Sequence, residues 1–191
     1  MTDKDSHFFL PKVKTTLKDI ENEDVYPFKK AIENGCDAIM VGHLVISELD
    51  TKNPASLSKK VISGFLRKNC NFNKLIITDD MKMLAIRLLY RPKISAFKAI
   101  QAGNDMIMIG PSEQDVNKII KYVKKQVEKE KIKESDIDES ISRIVEIKLK
   151  YNINDKHVNG VDINKINEEI DELNEYVNDY NNGKIEVGGT V

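Results

Sequence analysis

Short continuous apolar runs alternate with helix-spaced apolar positions along the first 150 residues. The first helical pattern starts near Tyr26-Pro27. Phe28, Ala31 and Ile32 hold helical spacing, and Gly35 is placed to end it. Ala38-Ile39-Met40-Val41-Gly42-His43 then reads as a strand buried on both faces. The order repeats. Ser58 is placed to cap a helix with Val61, Ile62, Phe65 and Leu66 on one face. Leu75-Ile76-Ile77-Thr78 is a second buried strand, and a helix through Phe97 and Ile100 ends at Gly103. Met106-Ile107-Met108-Ile109 is a third strand, stopped by Gly110-Pro111. A long helix follows with Val116, Ile119, Ile120, Val123 and Val127, then another from Ser135 through Ile137, Ile141, Ile144 and Val145.

Strands and helices alternating at this spacing predict an α/β fold: a parallel sheet with helices packed on one side. Three strands with four or five helices do not close a barrel. They make either a small open sheet or the last part of a larger barrel. Residues 1–24 read as a loop and a polar connector. After Tyr151, Asn, Asp and Glu dominate, and a helix around 163–176 has only a thin stripe of Ile166, Ile170 and Leu173. Residues 1–151 are therefore expected to form the domain, with 152–191 a polar helical or frayed tail.

The chain has 191 residues and a formal net charge of -1. That balance gives no electrostatic footprint for nucleic acid or an anionic membrane. No apolar run reaches the roughly 20 residues that span a bilayer. The first residues lack the basic start and apolar core of a signal peptide. A cytoplasmic location follows if Met1 is the true start; an upstream part leaves a secreted or surface location open. Cys36 and Cys70 stand apart, and His7, His43 and His157 are scattered, so a zinc site is not expected.

The candidate chemistry lies in two places. Asp79 ends the second strand, where side chains of a parallel α/β fold enter the ligand-binding mouth. A carboxylate there serves as nucleophile, base or metal ligand, or else caps the Met81–Ile86 segment. Asp80, one residue nearer that segment, is the better cap. Asp5 and His7, one residue apart, can point to the same side of an extended loop. The carboxylate would then fix one imidazole nitrogen and leave the other for proton transfer. The alternative is a solvated histidine in a terminal arm. His43 ends the first strand, either as a ligand contact or as a hydrogen-bonded interior histidine.

Several motifs recur in one order. They are Asp5-Ser6-His7 with Leu10-Pro11, Tyr26-Pro27-Phe28, Asp37-Ala38-Ile39-Met40-Val41-Gly42-His43, and Pro54-Ala55-Ser56-Leu57-Ser58. Ile76-Ile77-Thr78-Asp79-Asp80-Met81 and Ala102-Gly103-Asn104-Asp105-Met106 complete the set. This set resembles the N-terminal catalytic domain of glycoside hydrolase family 3, in its β-N-acetylhexosaminidase branch, over about residues 3–150. The resemblance implies a (β/α)8 barrel of which this chain is the C-terminal portion. It implies a retaining glycosidase that removes terminal β-linked N-acetylglucosamine from a carbohydrate partner, which could derive from peptidoglycan. Asp79 would be the nucleophile, His7 the general acid/base and Asp5 its orienting partner. His43 and Met81 would contact substrate. The resemblance alone implies that no metal or organic cofactor is needed. The family's K-H-F-P-G-H-G sugar-binding motif precedes its D-x-H and is missing here, so the isolated fragment is expected to be inactive. The rival expectations are a catalytically dead interaction fragment and a β-glucosidase of the same family.

Overall fold

In the computed structural model, residues 10–156, 160 and 162–184 are described. Asp5, His7 and His157 lie outside the described residues. The chain divides into two compact units, Met1–Ile153 and Asn154–Val191.

The first unit runs β1 (Lys12–Val13), helical turns at Leu17–Asp19 and Ile20–Asp24, α1 (Tyr26–Glu33), β2 (Ala38–Val41) and β3 (Val45–Ile46). A tight turn at Ala55–Leu57 leads to α2 (Lys60–Asn69), β4 (Leu75–Thr78), α3 (Leu84–Arg87), α4 (Pro92–Ala102), α5 (Glu113–Val127) and α6 (Glu134–Lys150). The second unit holds α7 (Ile163–Asn181).

The segment before α1 is more structured than its polar composition predicts. Lys12–Val13 pairs in parallel with Val45–Ile46. Thr16 and Asp19 form a reciprocal capping box that starts the first helical turn. α1 begins where Pro27 predicts, and Gly35 turns the chain away in the left-handed region. α2 is a π-type helix, closed by the Cys70 N–H on the Phe65 carbonyl. Ser58 Oγ accepts the Val61 N–H at its entry.

β2 and β4 pair in parallel, with Ala38 opposite Leu75 and Val41 opposite Thr78. Ile39, Val41 and Ile76 share one face and pack with Val61, Ile62, Phe72 and Ala102 from the helical side. Small residues on the buried side of α4 (Ser95, Ala96, Ala99 and Ala102) let that helix approach closely. α5 packs on α4 through an edge-to-face contact of Phe97 and Tyr122, with ring centroids 5.9 Å apart. The opposite face of the sheet carries Met40, Ile77, Met106 and Met108; the three methionines are exposed, Met40 at 57%.

The expected third strand shrinks to one parallel bridge, Ile77 to Met106. Beyond it the Met108 N–H bonds to Thr78 Oγ1 at 3.1 Å, and the Met108 carbonyl accepts from Met81 N. A side-chain hydroxyl and a turning loop thus replace the regular ladder.

At the other end of β4 the Asp105 carboxylate is completely buried. It accepts from Ile76 N at 2.8 Å, Arg67 Nη2 at 2.6 Å, Arg143 Nη1 at 2.8 Å and Ser140 Oγ at 2.9 Å. One side chain thereby ties α2, β4 and α6 together. Among the described residues no helix is long and apolar enough to cross a membrane.

Candidate active site

Asp79 continues the ladder one residue past β4. Its N–H donates to the Val41 carbonyl at 3.0 Å. Strand alternation places it on the face of Ile77, opposite the side that the helices cover. The side chain is half-buried. Oδ1 accepts the Asp80 N–H at 2.8 Å, and among the described residues Oδ2 has no hydrogen-bond partner.

The role of Asp80 differs from the expected helix cap. The helix begins only at Leu84, too late for Asp80 to cap. Its Oδ1 instead accepts from Lys82 N at 2.8 Å and from Gly110 N at 2.9 Å. This brace joins the loop after β4 to the loop after Met108. Gly110 suits the contact because a Cβ there would lie 2.8 Å from Asp80 Oδ2. Gly110→Ala should therefore push the carboxylate aside and destabilise the unit by roughly 1–3 kcal/mol, read by urea unfolding.

His43 is fully buried beside this brace. Nε2 lies 3.0 Å from the Asp80 carbonyl, which can only accept, so Nε2 carries the proton. Nδ1 then accepts from Ser56 Oγ at 2.7 Å. Burial depresses the imidazole pKa below its ordinary 6.5, against the raising effects of the Asp80 carbonyl and the two nearby aspartates. The neutral ring is favoured in the folded state, so stability is lost as the pH falls below 6.5. Both ring nitrogens are taken by protein partners, which leaves none for a ligand.

Met81 was expected at the substrate. It is fully buried among Leu57, Ile86 and Ala99, so it packs beneath the site and cannot touch a ligand there. Met81 lies two positions past Asp79, but the chain turns at 81–82 instead of continuing as a strand, so alternation does not bring the two side chains to one face.

The support for His43 was not foreseen. Asn104 Nδ2 donates to the Ser56 carbonyl at 2.9 Å and to the Ala99 carbonyl at 2.8 Å. The turn that carries Ser56 is anchored from its other side by Asp50. That carboxylate accepts from Lys52 N, Asn53 N, Asn53 Nδ2 and Ser58 Oγ. Burial pushes Asp50 upward, but these bonds outweigh it and hold the pKa at about 2. A drop from 3.8 to about 2 is worth roughly 2 kcal/mol. The carboxyl is depressed in the folded state, so that stability is full above pH 4 and is lost as the pH falls toward 2. Asp50→Asn should flatten the acid limb of thermal stability between those values. An unchanged limb would show that Asp50 does not anchor the turn.

A chain of contacts thus runs from Asn104 through Ser56 and His43 to the carbonyl of Asp80, the residue after Asp79. The only sequence signal for it was the run of small residues at Pro54–Ser58, whose burial is complete. Cys36 and Cys70 are free thiols in packed surroundings, Cys70 buried and Cys36 half-buried. Asp5 and His7 lie outside the described residues, so their distance to Asp79 is not part of this geometry.

An α/β unit with a carboxylate at a strand's C-terminal end, braced from behind, is the arrangement of an enzyme site on a parallel sheet. Residues 1–147 match the model of the glycosyl hydrolase family 3 N terminal domain, and the chain belongs to that family. It is 33% identical over 105 residues to a beta-hexosaminidase of Hydrogenovibrio crunogenus, which is 55% of this chain and 29% of the relative. With a beta-hexosaminidase of Haemophilus influenzae it shares 32% identity over 121 residues, 63% of this chain and 34% of the relative. A family 3 β-N-acetylglucosaminidase of Paenibacillus sp. str. FPU-7 superposes with a TM-score of 0.79 at 28% identity. That match covers 84% of this chain and 31% of the other. The chain thus spans about a third of the length of the curated relatives it matches.

Proposed function

We propose that this chain carries the nucleophile-bearing part of a retaining β-N-acetylhexosaminidase. The observation that carries the reading is Asp79, at the C-terminal end of β4, on the uncovered face, with Oδ2 available. The partial sheet is then the C-terminal portion of a (β/α)8 barrel, and residues 152–191 are an appended tail. Its substrate is a terminal β-linked N-acetylglucosaminide.

In the first step Asp79 Oδ2 attacks the anomeric carbon while His7, oriented by Asp5, protonates the departing glycosidic oxygen. The C–O bond breaks and a glycosyl ester forms. In the second step the neutral imidazole of His7 takes a proton from water, the water oxygen attacks the anomeric carbon, and Asp79 departs as carboxylate. Two displacements at one carbon retain the β configuration. His43 takes part only as a positioning residue, holding the Asp80 carbonyl.

The test is hydrolysis of an aryl β-N-acetylglucosaminide, with the anomer of the product followed by proton NMR. The complete barrel should release the β-anomer first. The 191-residue chain alone should show no turnover. Positioning of substrate contributes roughly 7–11 kcal/mol of barrier lowering, and the family places part of the sugar-binding site outside this chain. Release of the α-anomer first would reject the mechanism, and robust turnover by the chain alone would reject the shared-site reading.

A further inference from the structure

The family match ends at residue 147, and α7 lies beyond it. Ile163, Ile166, Ile170, Leu173, Val177 and Tyr180 follow one another in steps of three, four, three, four and three, and Tyr176 is the one further large hydrophobic side chain of the helix. That is a heptad repeat of period 3.5, not the 3.6 of a straight helix. Asp162 fixes its start by accepting from Asn164 N and Lys165 N. In this register the a positions are Ile163, Ile170 and Val177, all β-branched. The d positions are Ile166, Leu173 and Tyr180. β-Branched residues at a with Leu at d, as at Ile170 and Leu173 in the central heptad, favour two strands. No residue of α7 is buried, and among the described residues of its own unit no second helix exists to cover the seam.

We propose that α7 pairs with α7 of a second copy of this chain as a two-stranded coiled coil. Two features select this occupant. A helix that lies on a globular domain buries a stripe widened by apolar e or g positions. Here the e positions are Asn167, Asn174 and Asn181 and the g positions are Glu169 and Tyr176, so only Tyr176 widens the seam, which stays narrow enough for a single partner helix. The e and g positions also set partner choice. Apart from Glu169, the acidic residues (Glu168, Asp171, Glu172, Glu175 and Asp179) sit at b, c and f, away from the seam. In a parallel pair of identical helices Glu169 meets the neutral Asn174 of the other copy. No like-charge pair arises across the seam, and no acidic e/g row exists to select a basic partner.

The helix has 19 residues, just under three heptads. Its pair buries on the order of 1,000 Å², the small end for a stable complex, so association is weak. The outer acidic faces repel each other over a Debye length, so added salt strengthens the pair, whereas it would weaken pairing with a basic helix.

Sedimentation equilibrium of the full chain tests this, from roughly 10 to 300 μM and in low and roughly 0.5 M salt, the range in which a small interface is populated. The expected mass rises from 21.8 kDa toward twice that value with concentration, and further with salt. Ile170→Asp/Leu173→Asp should stay at the single-chain mass throughout, and Glu168→Gln/Glu175→Gln should associate at least as well as the parent. Should the charged variant lose helix by circular dichroism, Ile170→Ala/Leu173→Ala decides, because alanine keeps helix propensity. A single-chain mass at the highest concentration in both salts overturns the proposal. So does association that survives the seam substitutions or weakens with salt.

Discussion

Asp79→Ala should abolish turnover of aryl β-N-acetylglucosaminides by the complete barrel, by roughly 10⁴-fold or more, the scale on which loss of a covalent nucleophile is felt. The neighbouring carboxylate should not take over, because Asp80 is held by Lys82 N and Gly110 N. Asn separates the two roles. Asp79→Asn should be as inactive as the alanine variant, since an amide cannot form the glycosyl ester. Asp80→Asn keeps an oxygen for both backbone donors and should retain most activity, while Asp80→Ala leaves two N–H groups unpaired. That variant should lose roughly 1–3 kcal/mol of stability and some activity through misplacement of Asp79. Steady-state kinetics and urea unfolding of the four variants check this. An active Asp79→Asn beside an inactive Asp80→Asn would move the nucleophile to Asp80.

The largest effect on stability is expected at Asp105. Asp105→Ala removes the carboxylate that bridges Arg67 and Arg143 and frees the Ile76 N–H at the base of β4. Breaking a buried charge network by removing one partner costs roughly 3–5 kcal/mol, a large part of a domain's total stability. Thermal and denaturant unfolding should show it. Asp105→Asn, which keeps an acceptor and loses the charge, should fall between. An Asp105→Ala chain as stable as the parent would mean that the cluster does not hold β4.

Much of this architecture was legible because it rests on local signals. Ala38–Val41 and Leu75–Thr78 are continuous apolar runs that pair in parallel where expected, but the expected burial on both faces fails for the first, whose Ala38 and Met40 are exposed. Pro27, Gly35 and Gly103 mark helix ends by backbone chemistry alone. The family resemblance, built on ordered motifs, agrees with the match over residues 1–147. What local pattern could not show depends on contacts between distant residues. Met106–Ile109 has a strand's composition, but Thr78 Oγ1 takes the N–H that a third ladder needs. Lys12–Val13 is too short to read as a strand without Val45–Ile46 beside it. Asp80 has a cap's composition and position, yet the helix starts late and Gly110, 30 residues on, claims its carboxylate. Met81 carries no mark that distinguishes a ligand contact from a core residue. The roles of Asp5 and His7 rest on the family motif alone.

The cluster around Asp105 also constrains synthesis. β4 has been made once residue 78 is joined, but the donors on its anchor include Ser140 and Arg143. Asp37, just before β2, is likewise held by Lys150 and Tyr151. A chain leaving the ribosome therefore carries both principal strands for some seventy residues of growth before their bases are pinned, at roughly 5–20 residues per second. During those seconds β2 and β4 have only each other and the helices already made to hold them in register.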